Sequence, residues 1–152
     1  GRQGGLYMDN VMTLTFLAIG EKEQLARMAI TSFITPLDPT MDQLSEIKTI
    51  VSEAVSNAII HAYPNERGQV VLNAMRNGNE ISVSIKDFGV GISRVMEAME
   101  PLYTTKPELE RSGMGFTIME SFADELLVES SIGKGTIITF TKKIEAIFPA
   151  AL

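Results

Sequence analysis

The sequence of 152 residues predicts an α+β fold: a two-layer sandwich in which a mixed, mostly antiparallel sheet is covered on one face by helices. Two observations carry this. Segments with a period of two residues occur in pairs joined by short turns, and longer segments with helical spacing are inserted between the pairs. Hairpin-linked strands favour antiparallel neighbours over a doubly wound parallel sheet. With 45% apolar residues the chain is long enough for one buried core and short for two.

The elements follow in order. "GRQGGLY" before Met8 is glycine-rich and aperiodic, so residues 1–10 read as a flexible or vector-derived leader outside the fold. From Val11 to Ile19, Met12, Leu14, Phe16 and Ala18 alternate with their neighbours as in a strand, and Gly20 ends it. Leu25, Met28, Ala29 and Phe33 recur at helical spacing until Pro36 and Pro39 break the helix. Asp38 is the expected N-cap of the next helix, with Pro39 at its first position. That helix carries Leu44, Ile47, Val51, Ala54, Val55 and Ala58 on one face and stops near Tyr63-Pro64. Gln69–Arg76 and Glu80–Asp87 form a hairpin through Asn77-Gly78, a dipeptide that tolerates positive φ. A short helix near Ser93–Met99, a charged segment from Pro101 to Ser112 and a helix from Gly113 to Phe122 come next. Strands Glu125–Ser131 and Thr136–Lys143, joined by Ile132-Gly133-Lys134-Gly135, complete the domain over residues 11–143, and residues 144–152 form an apolar tail.

Composition narrows the function. Thirteen Lys and Arg against 19 Asp and Glu give a charge of −6, which argues against direct binding to nucleic acid or an anionic membrane. An anionic ligand must therefore meet a local positive site. The chain has no cysteine, which removes disulfides and thiolate metal sites. With no apolar run near the ~20 residues of a membrane span, a cytoplasmic protein is expected.

Four clusters carry chemistry. "DFGVG" at Asp87–Gly91 shares three letters with a protein-kinase signature, but the glycine-rich loop and H-R-D sequence of that fold are missing. Strand alternation instead puts Asp87 on the same face as Ile81, Val83 and Ile85. Its inward carboxylate either caps the following turn or accepts a hydrogen bond from a ligand, such as an amino group of adenine or of guanine. Gly89 and Gly91 allow close approach of the backbone. Gly113-Met114-Gly115 opens a helix whose free N–H groups suit phosphate as well as they suit a plain turn. Lys106 and Arg111 are surface charges or the cations a nucleotide needs. Glu53 and Asn57, one helical turn apart, form either a solvated face or a carboxylate and an amide oxygen aimed at magnesium and a hydroxyl. His61 reads mainly as a helix-end residue.

In combination, E-A-V-S-N on a helix, D-F-G-V-G after a hairpin strand, G-M-G-F after a charged loop and G-K-G-T between the last strands resemble the GHKL ATPase superfamily, with its Bergerat ATP-binding fold. "QLARMAITSFITPLDPTMDQLSEIKTIVSEAVSNAIIHAY" and "PLYTTKPELERSGMGFTIMESF" are similar to the serine-kinase anti-sigma factors of spore-forming bacteria. The resemblance implies ATP or ADP and Mg2+ as ligands. It implies Asn57 as the magnesium ligand and Glu53 as the general base that takes a proton from a substrate serine. Asp87 would bind adenine, Gly89 and Gly91 would shape the base pocket, and Thr136 would make a second contact near the base.

Thr104–Ser112 would be an ATP lid, with Thr104, Thr105, Lys106, Arg111 and Ser112 near the nucleotide, while Gly113, Met114 and Gly115 supply hinge and phosphate-binding backbone. Arg27 matches an arginine that contacts partners. Phe88 stands where the family often has glutamate, and Ala62 where it often has glycine. The implied partners are a sporulation sigma factor of the F type, a STAS-type anti-anti-sigma protein as the substrate, and a second copy of the chain. A nucleotide-gated sigma-binding module with little kinase activity is one alternative. The catalytic domain of a histidine kinase is the other, although His61 sits inside the nucleotide-binding helix, unlike a phosphoacceptor histidine on a helical hairpin.

Overall fold

In the computed structural model, residues 10–64, 66–92 and 115–145 are described. Alternation builds its sheet. Strands β1 (Asn10–Leu17), β2 (Gln69–Asn77), β3 (Glu80–Asp87), β4 (Glu125–Ser131) and β5 (Gly135–Lys143) lie in the order β1-β2-β3-β5-β4, with β1 and β4 at the edges. The expected α+β sandwich is present, and all four of its ladders are antiparallel. Register sets a continuous apolar row across five strands: Leu14 pairs with Leu72, Leu72 with Ile85, Ile85 with Ile138, and Ile138 with Val128. A one-residue slip in any strand would turn its part of this row to the open face.

Among the described residues, helices α1 (Glu21–Ile34), α2 (Met41–Asn57) and α3 (Phe116–Phe122) pack with this sheet. Ile30, Ile34, Ile47, Ile50, Val51, Val55, Phe116 and Met119 join the strand residues in a single core. Most of the α2 stripe is as the spacing predicts, with Ile50 added and Leu44 only partly buried. In α1 the buried face is Ala26, Ile30, Phe33 and Ile34, whereas Leu25 and Met28 are exposed. Two apolar stripes run along α1, and the one with two isoleucines and a phenylalanine reaches the core.

The start of α2 also differs from the reading of Asp38 and Pro39. Asp38 closes a 3-10 turn at Thr35–Leu37 with φ of 53°, a left-handed conformation that Asp tolerates better than most residues. The N-cap is Thr40. Its hydroxyl accepts from Gln43 N and the Gln43 side chain accepts from Thr40 N, a reciprocal capping box. Gln43 Oε1 also accepts from Glu145 N at 3.2 Å, and Ile144 is buried with its N–H on Asn79 O, so packing continues past Lys143. In the β2–β3 hairpin the two turn residues are Gly78 and Asn79, of which only Gly78 takes positive φ. No described helix is long and apolar enough to cross a membrane.

Candidate functional site

One pair along from the Leu14 row, the inward face of the sheet changes character. Phe16 pairs with Val70 and Val70 with Asp87, whose carboxylate meets Thr136 N, and Thr136 pairs with Ser130. Polar side chains thus replace apolar ones on three adjacent strands, beside the end of α2. A cavity of about 350 Å³ opens there. Asn57, His61, Asp87, Gly91 and Thr136 lie on its wall, and Ile92, Phe116 and Ile138 supply apolar surface. An apolar slot with a few convergent polar groups suits a flat heterocycle.

Asp87 is 7% exposed, inward as the alternation requires. Its Oδ1 accepts from Gly89 N at 3.0 Å and from Thr136 N at 3.1 Å, while Oδ2 accepts from none of the described residues. Burial pushes the carboxyl above its ordinary 3.8, against the pull of the two N–H donors. Asp87 therefore caps its turn through Oδ1, the first of the two roles read from the sequence, and leaves Oδ2 for a further donor.

The glycines act by chain-on-chain approach. A Cβ at Gly89 would stand 2.1 Å from Ala62 O, and one at Gly91 would stand 2.2 Å from Ser131 O. Val90 N donates to Ala62 O, and Gly133 N to Val90 O. Gly91 lies on the cavity wall but Gly89 does not. Their lack of side chains lets the turn after β3 lodge between the end of α2 and the β4–β5 hairpin.

Beyond Asn57, α2 continues into one wide turn of π type at Ala58–Ala62, which brings His61 to the cavity wall. Asn57, for which a solvated face was one of the two readings, is only 6% exposed. Glu53, one turn earlier, faces elsewhere. It lines a separate groove of about 290 Å³ between α1 and α2, together with Arg27, Ser52 and Lys48. Burial, and secondly the charge of Glu23, raise its carboxyl above the ordinary 4.5. Gly115, left-handed at the start of α3, lies against it: a Cβ there would stand 2.1 Å from Glu53 Oε2.

Arg27 spans the groove, bonded to Glu23 Oε1 at 2.7 Å, Ser52 Oγ at 3.1 Å and Gln24 Oε1. Ser56 Oγ donates to the other oxygen of Glu23 at 2.8 Å. The structure thus brings Asn57, Asp87, Gly91 and Thr136 together at one cavity, and Glu53 and Arg27 at a neighbouring groove. Thr104, Thr105, Lys106, Arg111, Ser112, Gly113 and Met114 lie outside the described residues, as does the helix expected near Ser93–Met99.

Sequence reasoning passed over three contributors. Tyr63 Oη donates to Gln69 O and accepts from Phe88 N, both at 2.7 Å, which ties the residue after Asp87 to β2. Ser130 follows Leu126 and Val128 on the inward face of β4, so the alternation already in hand would have found it. Glu23 had no signal, since its link to Glu53 crosses two helices. Phe88 points outward, 51% exposed, with Lys86 Nζ 4.9 Å from its ring centre.

The described residues contain no group of three or more His, Asp or Glu that would hold a metal by itself. Magnesium commonly takes one or two protein ligands and completes its shell with phosphate and water. The buried Asn57 amide on the cavity wall fits that donor set, and the acceptor at Asp87 fits an amino purine.

Residues 20–142 match the model of the histidine kinase-like ATPase domain. The chain is 57% identical over 146 residues to an anti-sigma F factor of Lysinibacillus sphaericus, covering 95% of this chain and all of that one. It is 50% identical to an anti-sigma F factor of Clostridium acetobutylicum, covering 92% and 98%. Among solved structures, the RsbU and RsbW domains of a Mycobacterium tuberculosis protein superpose with a TM-score of 0.64 at 18% identity, over 93% of this chain and 35% of that one. The catalytic domain of the histidine kinase ThkA gives 0.55 at 18% identity, over 88% and 96%. At such identity these two show the fold alone. The cavity, the order of its residues and the close relatives together place the chain in the histidine kinase-like ATPase family, among its anti-sigma F factors.

Proposed function

We propose that this protein is an anti-sigma factor and an ATP-dependent protein serine kinase, which sequesters a sporulation sigma factor of the F type and phosphorylates a STAS-type anti-anti-sigma protein on serine. The observation that carries the reading is the division of labour along α2. Asn57 faces the cavity, and Glu53, one turn away, faces the groove that holds Arg27. A nucleotide in the cavity and a protein hydroxyl in the groove would meet across this single turn.

Each residue then has a task. Asp87 Oδ2 accepts from the adenine amino group, with Thr136 beside it. Asn57 holds magnesium, which, when bound, neutralises charge on the phosphates. Glu53 takes the serine proton as the hydroxyl oxygen bonds to the γ-phosphorus of ATP and the bond to the leaving ADP oxygen breaks, and its raised carboxyl makes it a stronger base than an ordinary glutamate. Arg27 receives the protein partner, with the exposed Leu25 and Met28 flanking it. Lys106, Arg111 and the backbone of Gly113 and Gly115 are assigned to the phosphates by the family resemblance. The open face of the sheet, with Val11, Leu17 and Leu127 exposed, is the surface assigned to a second copy, and a single-chain mass in solution at micromolar concentration would remove that assignment.

Substitution of the base tests the activity. With Glu53→Gln, ATP binding persists while serine phosphorylation of the anti-anti-sigma protein, followed by mass spectrometry, falls at least ~100-fold. Transfer at the wild-type rate would end the general-base role. A wild-type protein that binds ATP and sigma factor but labels no serine would leave a nucleotide-gated binding module.

A further inference from the structure

Thr136 lines the cavity with Asp87, and its hydroxyl has one proton. Where that proton points decides whether the wall offers a donor or only acceptors. The answer lies with Ser130, which does not line the cavity. Three atoms converge on Ser130 Oγ: Ile92 N at 2.7 Å, Thr136 Oγ1 at 2.7 Å and Gly135 O at 3.1 Å. A serine hydroxyl donates once and accepts twice. Ile92 N–H only donates, so it takes one lone pair. Gly135 O only accepts, so it takes the serine proton. The remaining lone pair is left for the Thr136 proton. This assignment alone makes all three contacts hydrogen bonds, because a serine donating to Thr136 would set two oxygen lone pairs against each other at Gly135.

Thr136 Oγ1 therefore turns its lone pairs toward the cavity. Asp87 Oδ2 does the same, since Oδ1 holds both backbone donors. We propose that Ser130 is a positioning residue for base selectivity: by drawing the Thr136 proton away from the cavity, it leaves an acceptor-only wall that takes a purine 6-amino group and rejects a 6-oxo group. The proposal rests on the nucleotide reading of the cavity. Adenine brings an amino group with two N–H donors to this wall, whereas hypoxanthine brings a carbonyl oxygen that meets acceptors. Without Ser130 the Thr136 hydroxyl is released to turn its proton inward and serve that oxygen.

Calorimetric titration of ATP and ITP at one fixed magnesium concentration tests this. Wild type binds ATP more tightly, and Ser130→Ala narrows the ATP/ITP ratio of Kd values at least ~5-fold, chiefly by tightening ITP. Ser130→Thr keeps the hydroxyl and the wild-type ratio. Should Ser130→Ala not fold, Thr136→Val, which removes the acceptor, narrows the ratio instead. An unchanged ratio in the folded Ser130→Ala protein overturns the proposal, as does a narrowing that comes only from weaker ATP. Equal binding of ATP and ITP by wild type overturns the acceptor-only wall while leaving the nucleotide site intact. Failure of wild type to bind either nucleotide removes the site and the proposal together.

Discussion

Asp87 is held on the cavity wall at a cost to the fold. Its carboxyl is raised by burial, so the native state binds a proton more readily than the unfolded chain does. The sign follows. The contribution of Asp87 to stability is fully present below the unfolded value near 3.8 and is lost as pH rises through the higher folded value. At neutral pH the charged group therefore opposes folding. Asp87→Asn keeps an oxygen for Gly89 N and Thr136 N, removes the charge and puts an amide donor where the proposed nucleotide site calls for an acceptor. In the unliganded protein the variant should melt higher than wild type at pH 7, and the gap should close as pH falls to 4. Thermal scans of both proteins across that range check it, and a variant that melts lower at pH 7 would show that the charge is net stabilising. The inward position of Asp87 was legible because a period of two has one meaning for a strand. The pairing of its Oδ1 with Thr136, 49 positions away, was not, since only the register of β3 with β5 creates it.

At the scale of elements, local chemistry and long-range packing divided the outcome. Strands and the α2 stripe followed from periodicity, because each has one strongly apolar face. The α1 face did not, because Leu25 and Met28 compete with Ile30 and Ile34 and only the sheet beneath decides between them. The entry to α2 misled for a related reason: Asp-Pro and Thr at 38–40 both offer cap chemistry, and the left-handed Asp38 places Thr40 at the cap. Thr40→Ala removes the acceptor for Gln43 N and should cost about 1 kcal/mol, read as a lower midpoint in urea at constant slope. Gln43 also binds Glu145 N, so the same loss should loosen the segment after β5, visible as faster exchange of that amide. Unchanged stability would mean that tertiary packing alone sets where α2 begins.

For the whole molecule, the cavity lies where α2, the turn after β3, the β4–β5 hairpin and α3 meet, so a ligand there links parts of the chain far apart in sequence. Ligand binding adds to global stability by mass action, about 2.7 kcal/mol at a free concentration 100 times Kd. For a chain of this size that corresponds to a rise of roughly 5–10 °C in melting temperature. The two sites on α2 should respond differently. Glu53 faces the groove, so Glu53→Gln should keep the full rise with Mg-ATP, while Asp87→Asn, altered at the cavity wall, should show almost none. Differential scanning fluorimetry over a nucleotide titration measures both. An equal rise in the Asp87 variant would put the nucleotide somewhere other than this cavity. Loss of the rise in the Glu53 variant would mean that groove and cavity are one site, and that the separation of acceptor from donor along a single helical turn does not hold.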